Sequence, residues 1–256
     1  PPGEFLIYTH TCHPSLANYN ASGIAVCAYL ARWLASAPRR LTYRVVFGPG
    51  TIGSITWLAR NGDVVPQIVG GLVLGLLGDP GPLVYKSSWS GKSVIDRAAN
   101  AWLHHERPTA RRLDFSPWGY DERQFASPGF RLPVGRLTRS AEEGYPEYHS
   151  SADNLDLVNP GALVDALSAA QSILALVDAN CSLRNTSPYG EPQLGRRGLY
   201  RSLGGPASPD LQRALLWLLS LGDGQHDLID AWERSGLPLE SILTAEQALR
   251  RVGLLG

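Results

Sequence analysis

The chain has 256 residues, with 23 basic and 23 acidic side chains, and so carries no net formal charge. That length suits one α/β domain plus a small satellite, and the balanced charge gives no reason to expect nucleic acid or an anionic membrane as partner. Cys12, Cys27 and Cys181 are odd in number and not in zinc-ribbon spacing, which fits a reducing, cytoplasmic setting. No run reaches the roughly 18 to 20 apolar residues of a membrane span, and no signal-peptide pattern is visible. With no methionine and a Pro-Pro start on the verge of a strand, the chain reads as a fragment lacking an N-terminal part.

The run "EFLIYTH" (4–10) predicts a first strand, and "IAVCAYLARWLA" a helix from about Gly23 to Ala35. Between them lies "THTCHPSLANYNASG", which sets His10, Cys12 and His13 at the strand end beside a tight loop. Imidazoles so placed are a common start to a metal site, yet between Cys12 and Gly23 there is no carboxylate. A strand at "LTYRVVFG", a short helix at "TIGSITWLARNG" and a buried strand at "IVGGLVLGLLGD" follow. "KSVIDRAANAWLHHE" has helical spacing, "LPVGRLTRS" reads as a strand, and "NPGALVDALSAAQSILALVDAN" as a long helix opened by Asn159-Pro160. This alternation predicts a mostly parallel sheet with helices on both faces. Ligands then sit at the strands' carboxyl ends, where "THTCH" and "LLGD" lie.

The α/β domain is expected over 1–182 and a Pro/Gly/Ser-rich linker over 183–209. A three-helix unit over 210–256 resembles a winged-helix module. Its last helix holds only Arg250 and Arg251 as basic residues, so a protein contact is the better expectation than DNA.

Several long motifs carry a family resemblance. "CHPSLAN..ASG", "GTIGSITWLA", "LLGDPG", "YDERQFASPGFRLPVG", "YPEYHSSADNLD" and "PYGEPQLGRRGLY" occur in the order seen in the aminopeptidase-like DUF4910 proteins. Those are similar in fold to the M28 zinc aminopeptidases and carry a C-terminal winged-helix-like domain. The resemblance implies a site for one or two zinc ions, a glutamate general base, and a small-molecule or peptide-like ligand. It places His10 or His13 as the first ligand, Asp79 as a carboxylate ligand and His149 as the late histidine. Asp121, Glu122 and Glu147 would face the same cleft. Two positions depart from the pattern: Tyr19 stands where the loop carboxylate belongs, and Gly50 where the general base belongs. A neutral phenol and a glycine can supply neither function. The resemblance therefore implies metal-dependent amide hydrolysis by ancestry, with a degraded site, or else a non-catalytic scaffold. Glu122, Glu143 or Glu147 could substitute for the lost carboxylate.

Each of these residues also has a structural explanation. The histidines could cap the strand end, Asp79 could be the turn residue before Pro80-Gly81, and Cys12 a small buried side chain. His104, His105 and His226 read as surface residues.

Overall fold

The computed structural model describes residues 3–140, 144–202, 205–206 and 208–256, which divide into two compact units, 1–178 and 179–256. In the first, β1 (Glu4–His10) pairs in parallel with β2 (Thr42–Gly48) on one side and β3 (Ile68–Leu74) on the other. Between them run α1 (Ser22–Leu34) and α2 (Ile52–Arg60). Then come β4 (Val84–Lys86), α3 (Val94–Glu106), β5 (Arg111–Leu113), α4 (Asp121–Phe125), β6 (Val134–Thr138) and α5 (Pro160–Ala179). The sheet order is β2-β1-β3-β6-β4-β5. It is parallel except where β4 meets β6, so β4 and β5 run opposite to the other four strands.

Phe5 to Tyr8 of β1 and Leu72 to Leu74 of β3 are buried, as central strands covered on both faces must be. One core cluster joins Leu6, Tyr8, Val73 and Val134 to Leu58 of α2 and Phe125 of α4. Ser93 and Asp96 form a capping box at the start of α3, and the buried Asp96 also accepts from the Tyr85 hydroxyl (2.8 Å) and the Ser88 amide (2.7 Å). Asn159 Oδ1 accepts from the Gly161 and Ala162 amides at the head of α5. This helix has the length and apolar composition of a membrane span, but it buries Ala166, Ala169, Ala170, Ile173 and Leu174 in the protein.

The second unit contains β7 (Ser182–Arg184), a short antiparallel pair β8 (Arg201–Ser202) and β9 (Gly205–Pro206), then α6 (Pro209–Ser220), β10 (Asp223–Asp227), α7 (Leu228–Ser235) and α8 (Leu239–Arg251). Ser208 caps α6 through the Leu211 amide. Asp227 and Asp230 form a capping box on α7, which ends on Gly236 in the left-handed region at φ +61°.

Three details differ from the sequence expectations. The short strands β4 and β5 carry too few residues for a periodicity signal. The third strand stops at Leu74, because the chain turns at Leu76 with φ +52°. The stretch expected as linker opens inside β7, which pairs antiparallel with β10, and its Leu183 and Leu194 are fully buried.

A fragment ending at Asn180 is expected to unfold in urea in a single cooperative transition. A broad, non-cooperative transition would show that the first unit needs the second to fold.

Candidate functional site: an aromatic cleft at the end of β1

β1 ends at His10, and the chain returns to α1 through a π-helical turn, Ala17–Ala21. Such turns add a residue to the helical repeat and re-aim side chains. Asp153, buried and from a distant loop, fixes this one. Its Oδ1 accepts from the Asn18 amide (2.6 Å), and its Oδ2 from the Tyr19 amide (3.0 Å) and the Tyr145 hydroxyl (3.0 Å). Two asparagines clamp the flanks. Asn18 Oδ1 accepts from the Gly78 amide (2.7 Å) and its Nδ2 donates to Asp79 (3.0 Å). Asn20 Nδ2 donates to the His10 carbonyl (2.9 Å) while its Oδ1 accepts from the His13 amide (2.6 Å).

This scaffold delivers the Tyr19 ring into the middle of the imidazoles. Tyr19 is 1% exposed. Its ring centroid lies 4.7 Å from His10, 5.3 Å from His13 and 4.5 Å from His149. Tyr148 at 5.5 Å and Tyr120 at 5.9 Å complete the set, all in tilted or edge-on geometry. Leu76 and Tyr145 pack with Tyr19 in a hydrophobic cluster that also takes in Cys12 and Leu16. The phenol oxygen is buried without a hydrogen bond. Burial, with Tyr120 adding to it, pushes its ionisation far above the ordinary phenol range, so it stays neutral.

The expected zinc ligands do not form one donor set. His13 and His149 are neighbours, with ring centroids 4.9 Å apart, and both are exposed. His149 also stacks on Tyr148 at 4.1 Å; burial, then His13, lowers its pKa. His10 is turned elsewhere, with Nε2 3.0 Å from the Tyr19 carbonyl. The Asp79 carboxylate is occupied by Asn18 Nδ2, the Gly81 amide (2.8 Å) and the Ser140 hydroxyl (2.8 Å), as a turn residue would be. Among the described residues no three His, Cys, Asp or Glu side chains converge to hold a metal ion. The residues present do not fit the zinc site that the resemblance implied: neutral Tyr19 fills its centre and Asp79 is committed to the loop.

The remaining expected residues are also placed by packing. A side chain at Gly50 would overlap the Tyr120 ring, whose hydroxyl donates to the Gly50 carbonyl (3.3 Å) and lies 3.1 Å from Cys12 Sγ. Glu122 is fully buried, 2.9 Å from Lys86 Nζ and 3.8 Å from Arg136 Nη1. Burial pushes its carboxyl up, but the Arg136 and Lys86 cations outweigh that and hold it below its ordinary range. Pulling Glu122 out would break this buried ion pair at a cost of about 3–5 kcal/mol. Glu147 is half-buried, and its backbone carbonyl accepts from Ser150. Glu143 lies outside the described residues. Sequence reasoning missed Asp153, although "HSSADN" contains it; no pattern tells a loop-anchoring aspartate from a surface one.

His10 and Asp121 form a buried pair with an unusual proton balance. A carbonyl partner requires Nε2 to carry the ring proton, so Nδ1 presents a lone pair. It faces Asp121 Oδ2 at 3.8 Å, and neither atom has a hydrogen bond. Asp121 Oδ1 accepts from the Ser54 hydroxyl (2.7 Å). Burial, then Arg136, lowers the His10 pKa from 6.5 to about 3, while burial raises that of Asp121 from 3.8 to about 7 against the pull of Ser54. Below its unfolded value His10 takes a proton only on unfolding, so its contribution to stability rises with pH up to about 6.5. Asp121 holds a proton when folded and loses it on unfolding, so its contribution falls as pH rises from 3.8 towards 7. The two oppose each other across the shared window. Asp121→Asn is expected to leave the His10 slope alone, so that urea stability rises by about 1.4 kcal/mol per pH unit more steeply than in wild type between about pH 4.5 and 6. Equal slopes would show that Asp121 is not protonated in the folded protein.

Comparison with known proteins agrees with this architecture. A Clostridium acetobutylicum protein named for polysaccharide biosynthesis and an aminopeptidase-like domain is 42% identical over 98% of this chain and 58% of its own length. A crystal structure from the same species, named as a peptidase, superposes with a TM-score of 0.89 at 39% identity, over 100% of this chain and 58% of that one. The chain thus spans little more than half of these two relatives. A zinc aminopeptidase from Bacillus subtilis shares the fold alone, with a TM-score of 0.58 at 18% identity over 68% of this chain and 46% of its own. Residues 181–256 match the winged helix-turn-helix family. Residues 2–180 match the family described as domain of unknown function DUF4910, and the chain belongs to it, with an aminopeptidase-like fold.

Proposed function

We propose that this chain is a non-catalytic member of the aminopeptidase-like family, a scaffold that binds a ligand without cleaving it. One observation carries the reading: a neutral, fully buried phenol ring lies among His10, His13 and His149 where hydrolysis needs a metal-bridging carboxylate. Gly50 supports it, because the place of a general base is packed by the Tyr120 ring. Loss of a general base alone costs about 10²- to 10⁴-fold in rate. The ancestral activity is metal-dependent amide hydrolysis with zinc, and the site is its degraded remnant. The neighbouring His13 and His149 favour the second reading, a weakened zinc hydrolase, more than any other feature does.

The ligand class is a small molecule or peptide-like group, and a saccharide is favoured by the name of the Clostridium relative. The winged-helix unit suits a protein partner better than nucleic acid. Its residues 179–256 contain eight arginines, no lysine and eight acidic residues, which leaves no positive surplus for phosphates.

Restoring the chemistry requires room as well as carboxylates. Tyr19→Asp with Gly50→Glu alone is expected to give no hydrolysis, because the Tyr120 ring occupies the space of the new glutamate. Adding Tyr120→Ala is expected to raise zinc affinity and bring turnover of aminoacyl p-nitroanilides above background. Wild-type turnover that is abolished by His149→Ala would overturn the proposal.

A further inference from the structure

A second recess lies away from the cleft, at the carboxyl ends of β4 and β5. Those strands run opposite to β1, so their carboxyl ends lie at the opposite end of the sheet. α4 divides the two places: its first residue, Asp121, faces His10, whereas Arg123 and Gln124 line the recess. The cavity measures about 550 Å³, within the range of small-molecule sites. Trp89, Phe115 and Pro117 supply its apolar walls, and Arg123 and Arg131 its charge.

The lining combines two recognition elements. The first is aromatic. Trp89 remains 52% exposed although it is a large apolar ring, and Trp118, next to Pro117, and Phe130, next to Arg131, are exposed at 72% and 38%. Exposed aromatic side chains in such number mark contact surfaces. Both walls are held in place. The Arg131 guanidinium stacks 4.0 Å from the Trp89 ring centroid and donates to the Ala126 carbonyl (3.2 Å). Lys86, paired to buried Glu122, sets its ammonium 5.6 Å from the Phe115 centroid. Arg131 also sits at φ +50°, a left-handed conformation uncommon for a side chain of this size.

The second element is charge. Among the described lining residues there are two arginines and no carboxylate. Arg123 is exposed at the rim, with a fork that pairs with a carboxylate in two parallel hydrogen bonds. A hexuronic acid offers both complements on one ring: an apolar C–H face for Trp89 or Phe115 and a carboxylate for Arg123. A neutral sugar offers only the first.

We infer that this recess is a second ligand site, and that it takes an acidic saccharide of the uronic acid type. The inference takes from the proposed function only the saccharide class of ligand, and it does not depend on whether the cleft is catalytic. The groove holds the sugar by stacking and by the arginine fork, without bond-making, and it leaves the β1 cleft free.

The test is a tryptophan-fluorescence titration of the full chain with digalacturonic acid, with cellobiose as neutral control and uridine diphosphate as nucleotide control. Saturable binding of digalacturonate is expected, weakened at least ~tenfold by Trp89→Ala and by Arg123→Gln, and unchanged by His149→Ala. Both groove positions are exposed, so these variants are expected to fold, which circular dichroism checks. No binding of digalacturonate by the wild type overturns the inference. Equal affinity for cellobiose, or tighter binding of uridine diphosphate, overturns the acidic-sugar assignment. Weakening by His149→Ala alone would put the ligand in the cleft, which sinks the second site while leaving the scaffold reading intact.

Discussion

Burial of one phenol ring organises the cleft of this protein. Removing a tyrosine ring from water is worth roughly 2–3 kcal/mol, and each tilted or edge-on aromatic pair adds about 0.5–1.5 kcal/mol. Against this stands the unpartnered Tyr19 hydroxyl, which costs about 1–3 kcal/mol. The ring gains because five other rings, those of His10, His13, Tyr120, Tyr148 and His149, close around it. Asp153 holds the arrangement by accepting from the successive backbone amides of Asn18 and Tyr19. A carboxylate at position 19 would instead bring a charge into this apolar cluster, and would need a metal or a cation to neutralise it.

The other changes around the cleft are consistent with that choice. Gly50 leaves room for Tyr120, and Tyr120 packs against Tyr19 and His10. His10 stays neutral and bonds a carbonyl, and the buried Asp121 beside it favours its protonated form up to near neutral pH. The cations Lys86 and Arg136 are each paired with the buried Glu122 of α4. Most polar groups around the cleft are thus engaged in hydrogen bonds or ion pairs within the protein. The fold alone does not fix the chemistry, because the same scaffold often carries different sites.

Much of the architecture was legible in the sequence, because long apolar runs and helical spacing report burial directly. β1, α1, α3 and α5 fall where apolar runs and helical spacing put them. The three-residue strands β4 and β5, and the reversal of their direction, leave no periodic trace. In the cleft, Tyr19 and Gly50 stood out only through the family resemblance, as departures from its loop carboxylate and general base. The sequence could not show that their neighbours had closed over the gap. Whether Asp79 faces a metal or caps its own turn depends on Ser140 and Asn18, residues 61 positions away in each direction. The same holds for Glu122, whose partner Lys86 lies 36 residues earlier.

Zinc titration of the chelator-treated chain by calorimetry decides whether the cleft histidines still hold a metal. With Tyr19 in the middle of the histidines and Asp79 committed to its loop, no saturable site that depends on both His149 and Asp79 is expected. One tightly held zinc per chain, kept through dialysis and lost in His149→Ala and in Asp79→Asn, would contradict this and return the protein to the metal-dependent hydrolases.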